Sequence, residues 1–210
     1  MPDTLLLYFG EDVNDTLSLI ELSKSLIPSK FTVKHQHIRR PPILRRDASI
    51  NKRRDMAQEV AGFAKPFAKR GRTACVVHRD CDDIEPSHVD NATELEADLR
   101  ACGVPRPVAA TPAWEMETWL MLFPAALRAV RGCWSEVSYT NVSVGMISDA
   151  KERLRRDLRS KNAKCKDYAE SDSVLVAREI NRQGPVNEQT CSRSASLADY
   201  RKRLNAALVD

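Results

Sequence analysis

The chain has 210 residues, which fits one domain with a real core, or one domain carrying a helical appendage. Apolar residues make up 42% and charged residues 30%, excluding a disordered or fibrous chain, and 6% aromatics argue against a base-stacking platform. With 33 basic and 29 acidic residues the formal charge is only +4, so the placement of charge matters more than its sum.

No apolar run approaches the length of a membrane span, and residues 5–9 lack the basic flank of a signal peptide. The sequence therefore reads as cytoplasmic with no membrane partner, and its six cysteines as free thiols.

Residues 5–9, Leu-Leu-Leu-Tyr-Phe, form a buried-type strand that Gly10 ends, with Glu11 and Asp12 directly after it. Leu17, Leu19, Ile20, Leu22 and Leu26 recur at helical spacing over 15–26, and Pro28 stops that helix. Residues 31–37 alternate as a second strand. Residues 38–54 form a basic, proline-marked connection in which Arg39, Arg40, Arg45, Arg46, Arg53 and Arg54 are candidates to hold a polyanion such as a nucleic acid. A helix is predicted over 55–69, with Met56, Val60, Phe63 and Phe67 on one face.

Residues 73–77 form a third, fully buried strand that runs into Asp80, Asp82 and Asp83. Three carboxylates so close repel one another, and a helix cap needs only one, so the cluster suits a cation. Cys75, His78, Cys81 and His88 can be written as a zinc set, but Cys75 and His78 would point to opposite faces of the strand. A helix is predicted over 91–102, with Asn91 as N-cap and Glu94 completing a capping box. Residues 107–111 form a fourth strand, leading through Glu115 and Glu117 into a helix ending at Leu122, where Trp114 and Trp119 read as core. A short helix is predicted over 125–131, and residues 132–144 read as irregular. After that come helices only, over 149–160, 173–182 and 196–209, with a polar loop over 181–194.

The order β-α-β-α-β-α-β followed by helices predicts an α/β fold with a mostly parallel sheet flanked by helices, residues 1–145 forming the core and 146–210 a helical C-terminal extension packed on it. Parallel strands place all their carboxyl ends on one edge, so Glu11, Asp80, Asp82, Glu115 and Glu117 should meet there. Converging carboxylate oxygens suit Mg²⁺ or Mn²⁺, which serve phosphoryl chemistry. The competing role, capping the helices that follow, is strongest for Glu115 and Glu117.

A strand ending in Glu11 with Asp15 four residues on, and a later strand ending in Asp80-Cys81-Asp82, together resemble the TOPRIM fold of topoisomerases, primases and overcoming-lysogenization-defect nucleases. Glu115-Met-Glu117-Thr-Trp119-Leu120 is similar to a signature of small stand-alone TOPRIM proteins of the DUF4276 and RloB-like kind, linked to phage defence, and Lys166-Asp-Tyr168 looks like their C-terminal part. The resemblance implies a TOPRIM-like sheet and a Mg²⁺-dependent nuclease, with Glu11 as general base or metal-linked acid, Asp80 and Asp82 as metal ligands, and Glu117 with Glu115 supporting a second ion. The nuclease would act on DNA or RNA in an antiviral or toxin system, with an ATPase or other defence protein as partner. The chain departs from that pattern at Asp12, where the family has Gly. The departure favours the alternative, a non-catalytic binding or regulatory subunit acting with a partner protein. His78-Arg79-Asp80 spells a kinase tripeptide, but Glu85 stands where a kinase needs Asn and there is no Gly-rich loop.

Overall fold

The computed structural model describes residues 3–39 and 47–209. Arg40, Arg45 and Arg46 of the basic connection lie outside the described residues.

Four strands, β1 (Thr4–Phe9), β2 (Val33–His37), β3 (Thr73–His78) and β4 (Pro107–Ala110), alternate with α1 (Val13–Leu26), α2 (Ile50–Ala68) and α3 (His88–Ala101). Helices α4 (Glu117–Leu120), α5 (Pro124–Val130), α6 (Ala150–Asp157), α7 (Asp172–Arg182), α8 (Glu188–Cys191) and α9 (Ala195–Leu208) complete the chain, with a 3-10 turn at Val144–Met146. The strands form one sheet in the order β2-β1-β3-β4, all parallel, so the expected α/β class is what folds. Phe9 stands beside Val77, and Val77 beside Ala109.

Side-chain alternation divides the sheet between two apolar clusters. Leu6, Tyr8, Ala74, Val76, Val108 and Ala110 face one cluster together with α1, α7 and α9. Leu7, Phe9, Cys75, Val77 and Ala109 face the other, closed by Ala57, Val60 and Ala64 of α2 and by Leu95 and Leu99 of α3. The C-terminal helices are thus one layer of a shared core, with Ile180, Tyr200 and Leu204 in the same cluster as Leu6 and Leu22. Trp119 is fully buried there, stacked on Tyr200 with its indole N–H donating to Ser196 at 2.8 Å.

Several boundaries differ from the sequence expectation. Helix α2 starts at Ile50, because Ser49 caps it by accepting from the Lys52 N–H. Arg53 and Arg54 therefore lie in its first turns. Helix α3 starts at His88, one turn ahead of the predicted cap. Asn91 sits inside the helix and is buried, its backbone carbonyl and side-chain oxygen both accepting from Arg79. The helix expected up to Leu122 is only the four residues of α4, since Trp114 adopts a φ of +61° that no helix carries. The polar stretch 181–194 contains α8, capped by Asn187.

The cysteines are not all free thiols. Cys133 and Cys165 form a disulfide, while Cys75, Cys81, Cys102 and Cys191 are free. The bridged pair lies 32 residues apart in irregular segments, where no local pattern couples them.

Candidate acidic site at the strand ends

The chain leaves β1 for α1 on one face of the sheet, and leaves β3 for α3 on the other. Between adjacent strands whose connections part in this way a crevice opens at the carboxyl edge. Glu11, Asp12 and Asp15 follow β1, and Asp80 follows β3. Together with Glu115, Glu117, Lys151 and Glu170 they line a cleft of about 270 Å³. Glu11, Asp80, Glu115 and Glu117 of the predicted set are therefore brought together. Asp82 sits beside them in an exposed turn with φ +50°, close enough to act on Glu11 through its charge.

Local sequence explains the turn after β1. A side chain at position 10 would collide with the Thr16 hydroxyl, so glycine is needed there. Asp12 accepts from the Asp15 N–H at 2.8 Å and is the N-cap of α1. The residue that departs from the TOPRIM pattern thus holds the start of the helix that presents Asp15.

The loops after β3 and β4 are zipped by backbone bonds from Cys81 to Pro112 at 3.1 Å, from Asp82 to Trp114 at 3.3 Å, and from Trp114 to Asp83 at 3.0 Å. Two non-glycine residues of that zipper, Asp82 and Trp114, carry positive φ. Backbone held in this region persists only where its surroundings enforce it.

His78, the last residue of β3, acquires its partners only in the fold. Its side chain is fully buried between two carboxylates, with Nε2 3.2 Å from Asp80 and Nδ1 3.9 Å from Asp15. Among the described residues neither nitrogen has a well-aligned hydrogen bond, nor does the buried Asp80 Oδ1, so the contact is chiefly one of charge. Burial works against the imidazolium, but Asp80, Asp15 and Glu11 outweigh it and push its pKa up to about 9. Asp15 is pushed up to about 7, by burial first and then by Asp80, Asp12 and Glu11, with His78 opposing. Glu11 is raised by burial, with His78 opposing and Asp80 and Asp82 adding. These groups titrate as one system that retains protons near neutrality.

On the far side of the cleft the carboxylates have internal partners. Glu115 accepts from the Lys151 N–H at 2.5 Å at the start of α6, and the Lys151 ammonium lies 3.9 Å from it and 3.2 Å from Glu170. Glu117 is buried and accepts from the Tyr168 hydroxyl at 3.0 Å. Burial, then Glu115, pushes Glu117 up to about 7. Burial likewise raises Glu115. Glu115 thus caps α6, a later helix, and not the helix that directly follows it, since α4 has no side-chain cap. Lys151 and Glu170 gave no signal in the sequence, because they enter from the helical C-terminal layer.

The carboxylates line the cleft without closing on one point: among the described residues no group of three or more His, Cys, Asp or Glu is gathered to hold a metal ion, and this includes the zinc set. Cys75 faces the α2–α3 cluster while His78 faces Asp15 of α1, as their strand spacing requires.

The basic candidates disperse. Arg39 and Arg54 are exposed. Arg53 is spent on α3, paired with Glu94 and, at 3.2 Å, with Asp98. Among the described residues no helix is long and apolar enough to cross a membrane.

Fold and site define an α/β protein with a carboxylate-lined cleft at the carboxyl edge of a parallel sheet. No family model, no curated protein and no solved structure matches the chain.

Proposed function

We propose that the chain is a TOPRIM-like, Mg²⁺-dependent nuclease that hydrolyses phosphodiester bonds of nucleic acid, in an antiviral-defence or toxin setting. The observation that carries this reading is the meeting of Glu11, Asp80, Glu115 and Glu117, from the ends of three parallel strands, in one cleft. The donor set fits the ion: carboxylate oxygens are hard ligands, and among the described residues the buried Asp80 Oδ1 has no hydrogen-bond partner. Glu11 and Asp80 would hold Mg²⁺ or Mn²⁺, with Asp82 at the rim and Glu117 and Glu115 on the opposite wall.

The bound ion supplies charge stabilisation and a polarised water. The protein's own groups do the rest. Glu11, its carboxyl raised by burial, is the candidate to exchange a proton with that water. His78 offsets the charge of Asp80 and Asp15 and fixes the end of β3. Lys151 is a cation at the mouth of an otherwise acidic cleft, placed to meet a phosphate oxygen. Exposed Arg39 and Arg54 would contact the nucleic-acid backbone.

One observation favours a second reading. Glu115 and Glu117 are already bound to α6 and Tyr168, as in a site kept for structure, which suits a non-catalytic subunit acting with a partner such as an ATPase. A cleavage assay on single-stranded DNA, duplex DNA and transfer RNA separates the two. Cleavage that requires Mg²⁺ and is lost in Glu11→Gln supports the nuclease. Absence of cleavage on all three, with a metal-induced rise in melting retained, favours the regulatory subunit.

A further inference from the structure

The amino edge of the sheet, opposite the acidic cleft, carries a different concentration of charge. Arg100 from the end of α3, Arg106 from the turn before β4, and Arg203 from α9 line one cup of about 290 Å³, floored by Pro107 and Ala207. Its one carboxylate is Glu96, almost fully buried. Glu96 accepts from the Ala109 N–H at 3.1 Å, which fixes it to β4, and pairs with Arg100 at 2.6 Å and Arg203 at 3.1 Å. Asp199 holds the other side of Arg203 at 2.6 Å. Two guanidinium groups are thereby tied to two acids, Glu96 shared between them and Asp199 on Arg203 alone.

The third is different. Among the described residues the Arg106 side chain has no hydrogen-bond or ion-pair partner, and its backbone stands at φ +40°. That conformation is uncommon for a residue with a side chain, and it persists where the surroundings hold it. Here the Arg106 carbonyl accepts from the Cys75 N–H at 3.2 Å, which holds the turn in register with β3. Against three guanidinium groups stand Glu96 and Asp199, so the Arg106 charge is left without a counter-charge in a small concavity, which favours the entry of an anion.

We propose that this cup binds a dianionic phosphate group. Its negative charge suits a cup of net positive charge, and its terminal oxygens can each meet one guanidinium of a ring whose planar forks favour phosphate geometry. A phosphomonoester is a dianion above about pH 6. The proposal does not depend on the function assigned to the acidic cleft, which lies at the other end of the strands.

Calorimetric titration of the full chain tests it, with inorganic phosphate and with adenosine 5′-monophosphate, in chelator and against chloride of equal ionic strength. Phosphate-specific binding is expected in the wild type. Arg106→Ala should raise the dissociation constant about tenfold or more, the loss expected of one charge-assisted contact, with partial recovery in Arg106→Lys. Because Arg106 has no partner to lose, the ligand-free Arg106→Ala protein should melt as the wild type does. Tighter binding of the nucleotide than of inorganic phosphate assigns the site to a nucleotide phosphomonoester; equal or weaker binding assigns it to free phosphate. No binding beyond the chloride control, or unchanged affinity in Arg106→Ala, overturns the proposal and leaves the arginines as ties between α3, β4 and α9.

Discussion

His78 Nε2 stands 3.2 Å from Asp80 Oδ1, both atoms shut away from water at the end of β3. The pair makes the strand end a zwitterion rather than a bare acidic cluster. Removing Asp80 should therefore do more than relieve repulsion. In Asp80→Asn the buried imidazole loses its nearest counter-charge, and the metal-free protein should lose about 1–2 kcal/mol at pH 7, the cost being limited because His78 can give up its proton. Divalent-ion binding should weaken in the same variant. Denaturant unfolding in chelator and a Mg²⁺ titration followed by melting read the two effects. A variant with wild-type stability and a wild-type Mg²⁺ response would return Asp80 to the role of a solvated turn residue.

The same cluster sets a pH dependence. His78 is held up to about 9, against roughly 6.5 in an unfolded chain, so the folded state binds the extra proton throughout that interval. Asp15 and Glu117, held up to about 7, still carry protons at its lower end that the unfolded chain has already released. Stability falls with pH wherever the folded state binds more protons. His35 acts in the opposite sense: burial lowers it to about 4, so it costs stability only below pH 6.5 and leaves the higher interval undisturbed. The metal-free protein should lose stability steadily between pH 6.5 and 9. Unfolding midpoints in chelator at pH 6.5, 7.5 and 9 measure this, and a flat or rising series contradicts the shared-proton account.

Two glycines that look alike in the sequence should respond oppositely. Gly10 packs against Thr16, and Gly10→Ala forces its Cβ into that hydroxyl, which should cost about 1–3 kcal/mol. Gly62 lies within α2 with open space where a Cβ would go, so Gly62→Ala should gain about 0.5–1 kcal/mol. Chemical denaturation of both variants checks the signs.

That contrast shows where the sequence was legible. The apolar runs at β1, β3 and β4 announced buried parallel strands, and strand order alone then placed Glu11, Asp80 and Glu117 on one edge. What a local pattern cannot carry is the tertiary partner. His78 was unreadable because its carboxylates are 63 and 2 residues away in different elements. Lys151 and Tyr168 reach the cleft from a layer whose helices show their apolar faces but not their docking. Asn91 looked like a cap because its neighbours fit a capping box, yet the buried Arg79 claims its oxygen atoms.

The Cys133–Cys165 disulfide braces the segment behind Glu117. Trp134, next to Cys133, donates to the Lys166 carbonyl at 2.8 Å and packs its ring against Tyr168, whose hydroxyl holds Glu117. Closing a loop of this length stabilises by at most about 3–4 kcal/mol through the unfolded chain. The double variant Cys133→Ser, Cys165→Ser should melt earlier by less than that ceiling, and its Mg²⁺ response should weaken as Tyr168 loosens. Thiol counting after unfolding should find four groups before reduction and six after. Six before reduction would remove the bridge from the account.

Arg53 and Arg54 are neighbours of the same charge with different employment, and this separates fold from binding. Arg53 joins α2 to α3 through Glu94 and Asp98, and its side chain is mostly covered. Arg53→Ala leaves Asp98 without this partner while Glu94 keeps Arg79, and should cost about 1 kcal/mol, the scale of a hydrogen-bonded charge pair near the surface. It should leave the salt dependence of nucleic-acid binding unchanged, because a paired guanidinium releases no phosphate counterion. Arg54 is exposed on the adjacent face of the helix, as is Arg39 at the end of β2. Replacing either with Ala should leave stability within about 0.5 kcal/mol. Each replacement should also flatten the log–log salt slope of binding by roughly 0.7 to 0.9 per lost phosphate contact, the lower value for single strands. Titrations of labelled single-stranded and duplex oligonucleotides over a range of salt, beside denaturant melts, give both readouts for all three variants. If Arg53→Ala changes the slope and Arg54→Ala and Arg39→Ala do not, the nucleic-acid path runs across α3 instead of along the start of α2. If none of the three changes it, these arginines have no part in binding.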